Sequence, residues 1–544
     1  MRDSKWMKKL YKKYFSLLLL SQKKNVMGQI SFIFLGSLVT TAIPVIHQII
    51  INNIFDSKQF SLFFAFIIIM FILYLLQCCF SLLHDFFQAK VEANIKYQLR
   101  DQLNIIISKK KYEEYLKVGN EKVVSRYNND TNVIANHLSS DVFDLLEQVL
   151  ILLLAVYMIC RISIALLLCM ILILLLYYVV NKKIGHILQS AIKKLFTFRE
   201  ESLGCFTENY NNNFLVKIYN LYSWIEKRFQ TVYKNEYKQK IKTDMIYSAN
   251  INITKFIVNS LIVCSWIFGG YYLKNGQGNI GDVVALTEYV GLVVSPFFYF
   301  SQFNNKLQEA KTSIKRMDEE FISPSEELDE GKSLSEISDI KIDDLKFNYK
   351  PEGFALHIKF LNMKKGEIIG LKGESGSGKT TIVNLLMQLY LVDHGNIYIN
   401  GIDCREFKIK DIRNKIGYVS QKSYFFEDTI RENLFGDYPL EEIELLASKL
   451  DIQEDIKRME NSYGYVLKKN GSNISGGQQK RIDILRVLLA EKDVLIFDEA
   501  TANLDRKRRD DFFNVIMELK KEKIIIMITH NDLELNFFDK IYNV

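Results

Sequence analysis

Six apolar stretches decide what this chain can become. They lie near residues 27–52, 60–83, 142–161, 163–181, 253–273 and 283–303. A bilayer core about 30 Å thick is crossed by a helix of about 20 mostly apolar residues. Within lipid, only a helix or a closed barrel satisfies its own backbone polar groups. Nearly all the long apolar runs precede residue 304, and the remainder reads as a soluble domain. A chain of 544 residues suggests two or three domains. The expected division is an interfacial amphipathic helix over 1–24, a six-helix membrane domain over 25–320, a linker over 321–339 and a soluble domain over 340–544.

Charge sets the expected topology. The short links carry only Lys58, Arg161 and Lys274 as basic residues, whereas residues 1–24 carry eight Lys or Arg and residues 85–141 carry nine. Basic residues favour the cytoplasmic side, which places both termini and both long connections there. The net charge of +7 follows this topology, and no compact basic patch with interleaved aromatics points to nucleic acid. At the N-terminus Trp6, Leu10, Tyr14 and Leu18 recur at helical spacing opposite most of the lysines. That pattern reads as a helix lying in the membrane interface, with a frayed basic tail as the alternative.

The long connections, 84–141 and 182–252, are poor in helix breakers. No proline lies between Pro44 and Pro296, and only Gly119, Gly185 and Gly204 fall between residues 45 and 268. Helices are therefore expected to run past the membrane and turn near Gly119–Asn120 and Asn211–Asn213. Pro296 predicts a kink in the last span. Two readings of Glu288 in that span stay open, a substrate contact or a side chain near enough to the interface to reach water. The seven cysteines form no C-x-x-C pair and read as small buried hydrophobes.

The soluble part carries its chemistry in recognisable order. An apolar strand, Ile368–Leu371, leads into "GESGSGKTT", comprising Gly373, Glu374, Ser375, Gly376, Ser377, Gly378, Lys379, Thr380 and Thr381. Glycines at that spacing let backbone N–H groups surround phosphates at a helix N-terminus. Lys379 would reach the β- and γ-phosphates of ATP and Thr380 would ligate Mg²⁺. A second apolar strand, Val494–Phe497, ends in Asp498 and Glu499. Asp498 is placed to hold Mg²⁺ and Glu499 to take a proton from the attacking water. A third strand delivers His530 at the sheet edge where ligands bind in doubly wound folds. The expected fold class is an all-α six-helix membrane domain with long cytoplasmic helical extensions, joined to an α/β P-loop NTPase domain.

One motif has no obvious work in such a site. "NISGGQQKR" (473–481) reads as a second anion nest opening a helix, but with no phosphate-binding lysine of the first kind. Taken with "GESGSGKT", Gln421 in "IGYVSQ", "DVLIFDEA", "ANLD" and His530, it makes the chain resemble exporters of the ATP-binding cassette family, with six membrane helices fused to one cassette. The resemblance implies that Tyr349 stacks on adenine and that Gln421 touches Mg²⁺ and the attacking water. It implies that Ser475, Gly476, Gly477 and Gln478 close over ATP held by a second cassette, and that Asp505 ends the loop joining the two sites. Catalytic roles then fall to Glu499, His530 and Gln421, and metal ligation to Thr380, Gln421 and Asp498.

The same resemblance implies a dimer, with a second copy of the chain preferred over a related half-transporter. It implies a multi-pass cell-membrane protein whose cassette faces the cytoplasm. Two positions depart from the family pattern: Lys469, six residues before Ser475, where a glutamate is common, and Asp483, where a small apolar residue is usual. The chain also ends fourteen residues after His530, without the further strands and C-terminal helix of relatives. A peptide is the preferred cargo, ahead of a lipid-linked molecule or an amphipathic drug. With no room for a leader-cutting protease domain, such a peptide is expected to be cleaved elsewhere or not at all. A composition rich in Lys, Asn and Ile fits a bacterium with an AT-rich genome. A non-pumping gated channel or regulator is the remaining class, disfavoured by the intact catalytic glutamate.

Overall fold

The structure is a computed structural model that describes residues 21–53, 63–321, 325–349, 355–374, 376–392, 397–502 and 504–544. The helix expected over 1–24 lies almost wholly outside these residues. The chain divides into two compact units, residues 1–104 with 120–322, and residues 105–119 with 323–544.

Helices long and apolar enough to span a bilayer number six among the described residues. They are α1 (Lys23–Ile51), α2 (Phe63–Lys109), α4 (Lys122–Ile162), α5 (Ile164–Asn211), α7 (Tyr222–Lys274) and α8 (Ile280–Phe321), with the short α3 (Tyr112–Val118) and α6 (Asn213–Ile218) at the two turns. Both turns differ from a simple hairpin. The first breaks at Lys110 and again at Gly119, whose left-handed φ of 75° favours glycine. The second inserts α6 before Asn220, which also takes a left-handed φ. Scarcity of Gly and Pro accounts for the length of α2, α5 and α7, where no proline interrupts the i→i−4 ladder. Pro296 sits inside a continuous α8.

The membrane helices converge on a cluster in which Leu166, Leu261, Ala285, Tyr289 and Val290 are almost completely buried. The Tyr289 hydroxyl donates to the Thr41 carbonyl at 3.0 Å, tying α8 to α1. Gly281 lets α8 approach closely, because a Cβ there would stand 2.5 Å from the Gln48 carbonyl. Glu288 pairs with His47 across the same interface, at 2.7 Å.

Polar side chains order the other end of this unit. Within α4 two π-helical turns, Arg126–Asp130 and His137–Asp141, each end on an aspartate facing α8. Asp130 is 2 % exposed and accepts from Ser313 and Arg316, both at 2.9 Å. Asp141 accepts from Lys306 at 2.6 Å, and Arg126 pairs with Glu320. Asp130→Ala would strand the buried Ser313 hydroxyl and release Arg316, costing about 1–3 kcal/mol. The expected result is a lower unfolding temperature that Asp130→Asn partly restores, read by thermal denaturation in detergent.

The second unit holds two sheets. The antiparallel one has the order β2-β1-β4-β5, from β1 (Asp339–Asn348), β2 (Ala355–Lys364), β4 (Ile397–Ile399) and β5 (Ile402–Asp403). The other is parallel with the order β6-β7-β8-β3-β9, from β3 (Ile368–Lys372), β6 (Ile416–Val419), β7 (Val494–Asp498), β8 (Ile524–Ile528) and β9 (Lys540–Asn543). The central strands β7 and β8 are buried throughout and apolar up to Asp498, as strands covered on both faces must be. Strand β9 corrects the expectation that no further strand follows His530. "KIYN" is too short and too polar to announce itself, yet it pairs with β3 along the sheet edge. The expected linker is also better ordered than its composition suggests. Ile337 is 1 % exposed, and Glu326 makes a bidentate pair with Arg413 at 2.6 and 2.9 Å.

Candidate active site

Strand β3 delivers the glycine loop into α9 (Lys379–Leu386). Gly376 and Gly378 take φ of 86° and 107°, which side chains disfavour. A Cβ on Gly373 would stand 2.6 Å from Ser377 Oγ. Lys379 is 7 % exposed, and its ammonium donates to the carbonyls of Gly373 and Glu374 at 2.9 and 2.8 Å. Ser377 Oγ is buried without a partner, a donor suited to a phosphate oxygen. Ser375 lies outside the described residues.

Tyr349 sits beside this loop, its hydroxyl 3.0 Å from Thr381 Oγ1. Its ring meets Tyr390 edge to face at 4.9 Å and is 40 % exposed, leaving area for a base to stack. An open cavity of about 820 Å³ runs past Tyr349, Tyr390, Phe347 and Lys111. Tyr112 of α3 packs on Tyr390 at 5.9 Å, so the tip of the first long connection belongs to the wall of this cavity.

Strand β7 ends on Asp498, which is 4 % exposed. Its Oδ2 accepts from the Tyr418 hydroxyl at 3.1 Å and lies 3.4 Å from Thr380 Oγ1. Burial and the neighbouring Glu499 charge push the Asp498 carboxyl above the usual carboxylate range, against the opposing hydrogen bond from Tyr418. A carboxylate held so, beside a threonine hydroxyl, suits a divalent cation. Glu499 takes a left-handed φ of 48°, fixed by its N–H donating to the Ile528 carbonyl at 2.9 Å. Such a conformation costs about 1–3 kcal/mol and persists where the surroundings impose it. It turns the carboxylate toward Gln421 Nε2 at 2.9 Å and toward His530 Nε2 at 3.5 Å. Three segments far apart in sequence thus meet around one carboxylate.

The second anion nest is built differently. Ser475 caps α10 (Gly476–Leu489) in a reciprocal box with Gln478, and Gln479 Nε2 holds the loop to the Gly471 carbonyl at 2.9 Å. Ser475 and Gly476 are exposed, and a Cβ on Gly476 would meet nothing within 4 Å. Asp505 caps the helix α11 (Arg506–Leu519) through the Arg508 N–H at 2.9 Å. Lys469 is exposed to solvent.

Sequence reasoning missed Tyr418 and Lys480. Lys480 is 2 % exposed, with Nζ on the carbonyls of Ser420 (2.7 Å), Gln421 (3.2 Å) and Asp498 (3.3 Å). It ties the nest helix to both loops that carry the Glu499 cluster. Asp483, one turn further on, is 1 % exposed and pairs with Arg486, and burial pushes its carboxyl up. The only sequence signal was a Lys and an Asp three apart on the helix face that Ile482 and Leu485 leave ambiguous. Lys480→Met would leave three carbonyls unpaired and loosen the Gln421 loop. Hydrolysis is expected to fall on the order of 10- to 100-fold while ATP affinity changes little, read from phosphate release against nucleotide binding.

Residues 26–297 match the family described as ABC transporter transmembrane region, and residues 357–502 match that described as ABC transporter. The leukotoxin translocation ATP-binding protein LktB of Mannheimia glucosida is 31% identical over 281 residues, 51% of this chain and 40% of that protein. LktB of Bibersteinia trehalosi is 30% identical over 281 residues, 51% of this chain and 40% of that protein. The matched stretch therefore spans well under half the length of these curated relatives. Among solved structures, a bacterial Atm1-family ABC exporter with ATP bound superposes with a TM-score of 0.83, at 21% identity, over 96% of this chain and 93% of that one. At that identity the likeness concerns the fold.

Proposed function

Because the chain belongs to the ABC transporter family, with one transmembrane region fused to one ATPase domain, we propose that it is one half of an ATP-driven exporter acting as a dimer of identical chains. The observation that carries this reading is the meeting of Gln421 and His530 on Glu499, beside Thr380 and Asp498. That cluster contains what hydrolysis needs on one face of the nucleotide. The second nest, at Ser475, stands exposed at a helix N-terminus and fits the other face of an ATP held by the partner chain.

In this reading Gly376, Gly378 and Lys379 hold the phosphates, and Tyr349 receives the base. Bound Mg²⁺ would be held by Thr380, Asp498 and Gln421 and would neutralise charge developing between the β- and γ-phosphates. Glu499 accepts a proton from water as its oxygen attacks the γ-phosphorus, and the bond to ADP breaks. His530 and Gln421 keep that carboxylate aimed. ATP binds the closed dimer better than the open one, and this difference in affinity drives closure. The α2 apolar stretch buries nothing within the chain, which suits a lipid-facing helix. The basic residues of the two long connections support a cassette on the cytoplasmic side of the cell membrane, and the Lys-, Asn- and Ile-rich composition supports a bacterial one.

Peptide is the preferred cargo. The test is ATP turnover by the chain alone in lipid nanodiscs, with candidate peptides, lipids and cationic drugs added in turn. Cooperative turnover stimulated by peptides supports the reading, and stimulation by lipid alone reassigns the cargo. A folded chain that binds ATP without turning it over requires a different partner subunit.

A further inference from the structure

A second cavity of about 820 Å³ opens between α5 and α8, and its mouth is lined by Lys182, His186, Gln189, Asn304 and Gln308. Tyr177, Tyr178, Phe297 and Phe300 form its inner wall. Tyr177 and Phe297 also border a small apolar recess of about 10 Å³ among Leu174, Ile257, Leu261 and Val294. The volume of the main cavity suits a small organic ligand or a few residues of chain.

The chemistry of the lining is one-sided. Lys182 and His186 stand one turn apart on α5, and no carboxylate among the described residues lines the cavity or the recess. Among the described residues neither basic side chain has an ion-pair or hydrogen-bond partner, nor do the amides of Gln189, Asn304 and Gln308. At about 1.5 Å per residue, Lys182 lies about 27 Å along α5 from its start, near the far edge of a bilayer core about 30 Å thick. The cations therefore sit at the interface and the apolar recess within the lipid depth.

We propose that this cavity binds an apolar peptide bearing a carboxylate, which names the cargo class of the exporter reading and rests on it. The carboxylate pairs with Lys182 and His186. The three amides, each both donor and acceptor, take the peptide backbone, and an apolar side chain rests against Tyr177, Tyr178, Phe297 and Phe300. An anionic lipid would share the charge preference, but it has no backbone for three amides.

The test measures equilibrium binding, without ATP, of a fluorescent N-acetylated octapeptide of Ala, Ser, Leu and Phe to the chain in phosphatidylcholine nanodiscs. The free acid is expected to bind at least tenfold more tightly than its C-terminal amide. Lys182→Glu, and separately the milder Lys182→Gln with His186→Gln, should erase that difference, whereas Lys183→Glu, outside the lining, should keep it. Equal affinity for acid and amide, an unaltered preference in the Lys182 and His186 variants, or displacement of the peptide by added phosphatidate would each overturn the proposal. Hydrolysis measured on the same nanodiscs keeps the two readings apart. Binding without turnover removes the pump and leaves the site, and turnover without the acid preference removes only the site.

Discussion

Glu499→Gln lowers steady-state ATP hydrolysis by about 10²–10⁴-fold and leaves ATP binding intact, the range expected when a general base is lost. The substitution keeps shape, and its amide oxygen can still accept from Gln421 Nε2, which stands 2.9 Å from the native carboxylate. The left-handed backbone is imposed by the bond to the Ile528 carbonyl and does not depend on the side chain's charge. What disappears is the ability to take a proton from water. Phosphate release measured beside nucleotide binding checks both halves of the statement. A variant within tenfold of the parent chain would remove Glu499 from this role and leave His530 as the candidate base.

The second large effect concerns the exposed nest at Ser475. If each ATP is held by the glycine loop of one chain and the nest of another, lesions in the two motifs complement only in one arrangement. Dimers are assembled from differently tagged chains, with Lys379→Ala on one and Ser475→Arg on the other. One composite site is then intact and the other carries both lesions. With both substitutions on a single chain and a native partner, each site carries one lesion. In a Glu499→Gln background, the first dimer is expected to retain one occluded ATP and the second none. The reverse pattern would mean that the nest serves its own chain, and equal retention in both arrangements that it holds no nucleotide. The structural basis is the geometry of the nest itself. Ser475 and Gly476 are exposed, and a Cβ on Gly476 would touch nothing.

Much of the molecule was legible from local pattern. Six spans follow from run length because lipid leaves the backbone no alternative to the helix, and all six appear. The glycine loop and the strand ending in Asp498 and Glu499 were legible because phosphate binding needs particular residues at fixed local spacing. Features that depend on distant partners were not. Lys480 looks like a solvated lysine on a helix face until the Ser420, Gln421 and Asp498 carbonyls are placed around it. Strand β9 exists only because β3 offers it a free edge. Ile337 is buried by a cassette surface that a linker's own composition cannot reveal.

By itself, then, the amino-acid order determined the number of spans, the positive-inside topology it predicts, the family resemblance and which residues could hold phosphate. Those properties are carried by local composition and by spacing along one chain. Only the tertiary structure decided that Gln421 and His530 would meet on Glu499, that Asp130 and Asp141 would find their cations on α8, and that Lys182 and His186 would face three free amides. Each of these depends on Coulombic or hydrogen-bonding contact within a few ångströms. Contacts of that range between residues tens to hundreds apart in the chain are set by packing, which no local pattern records.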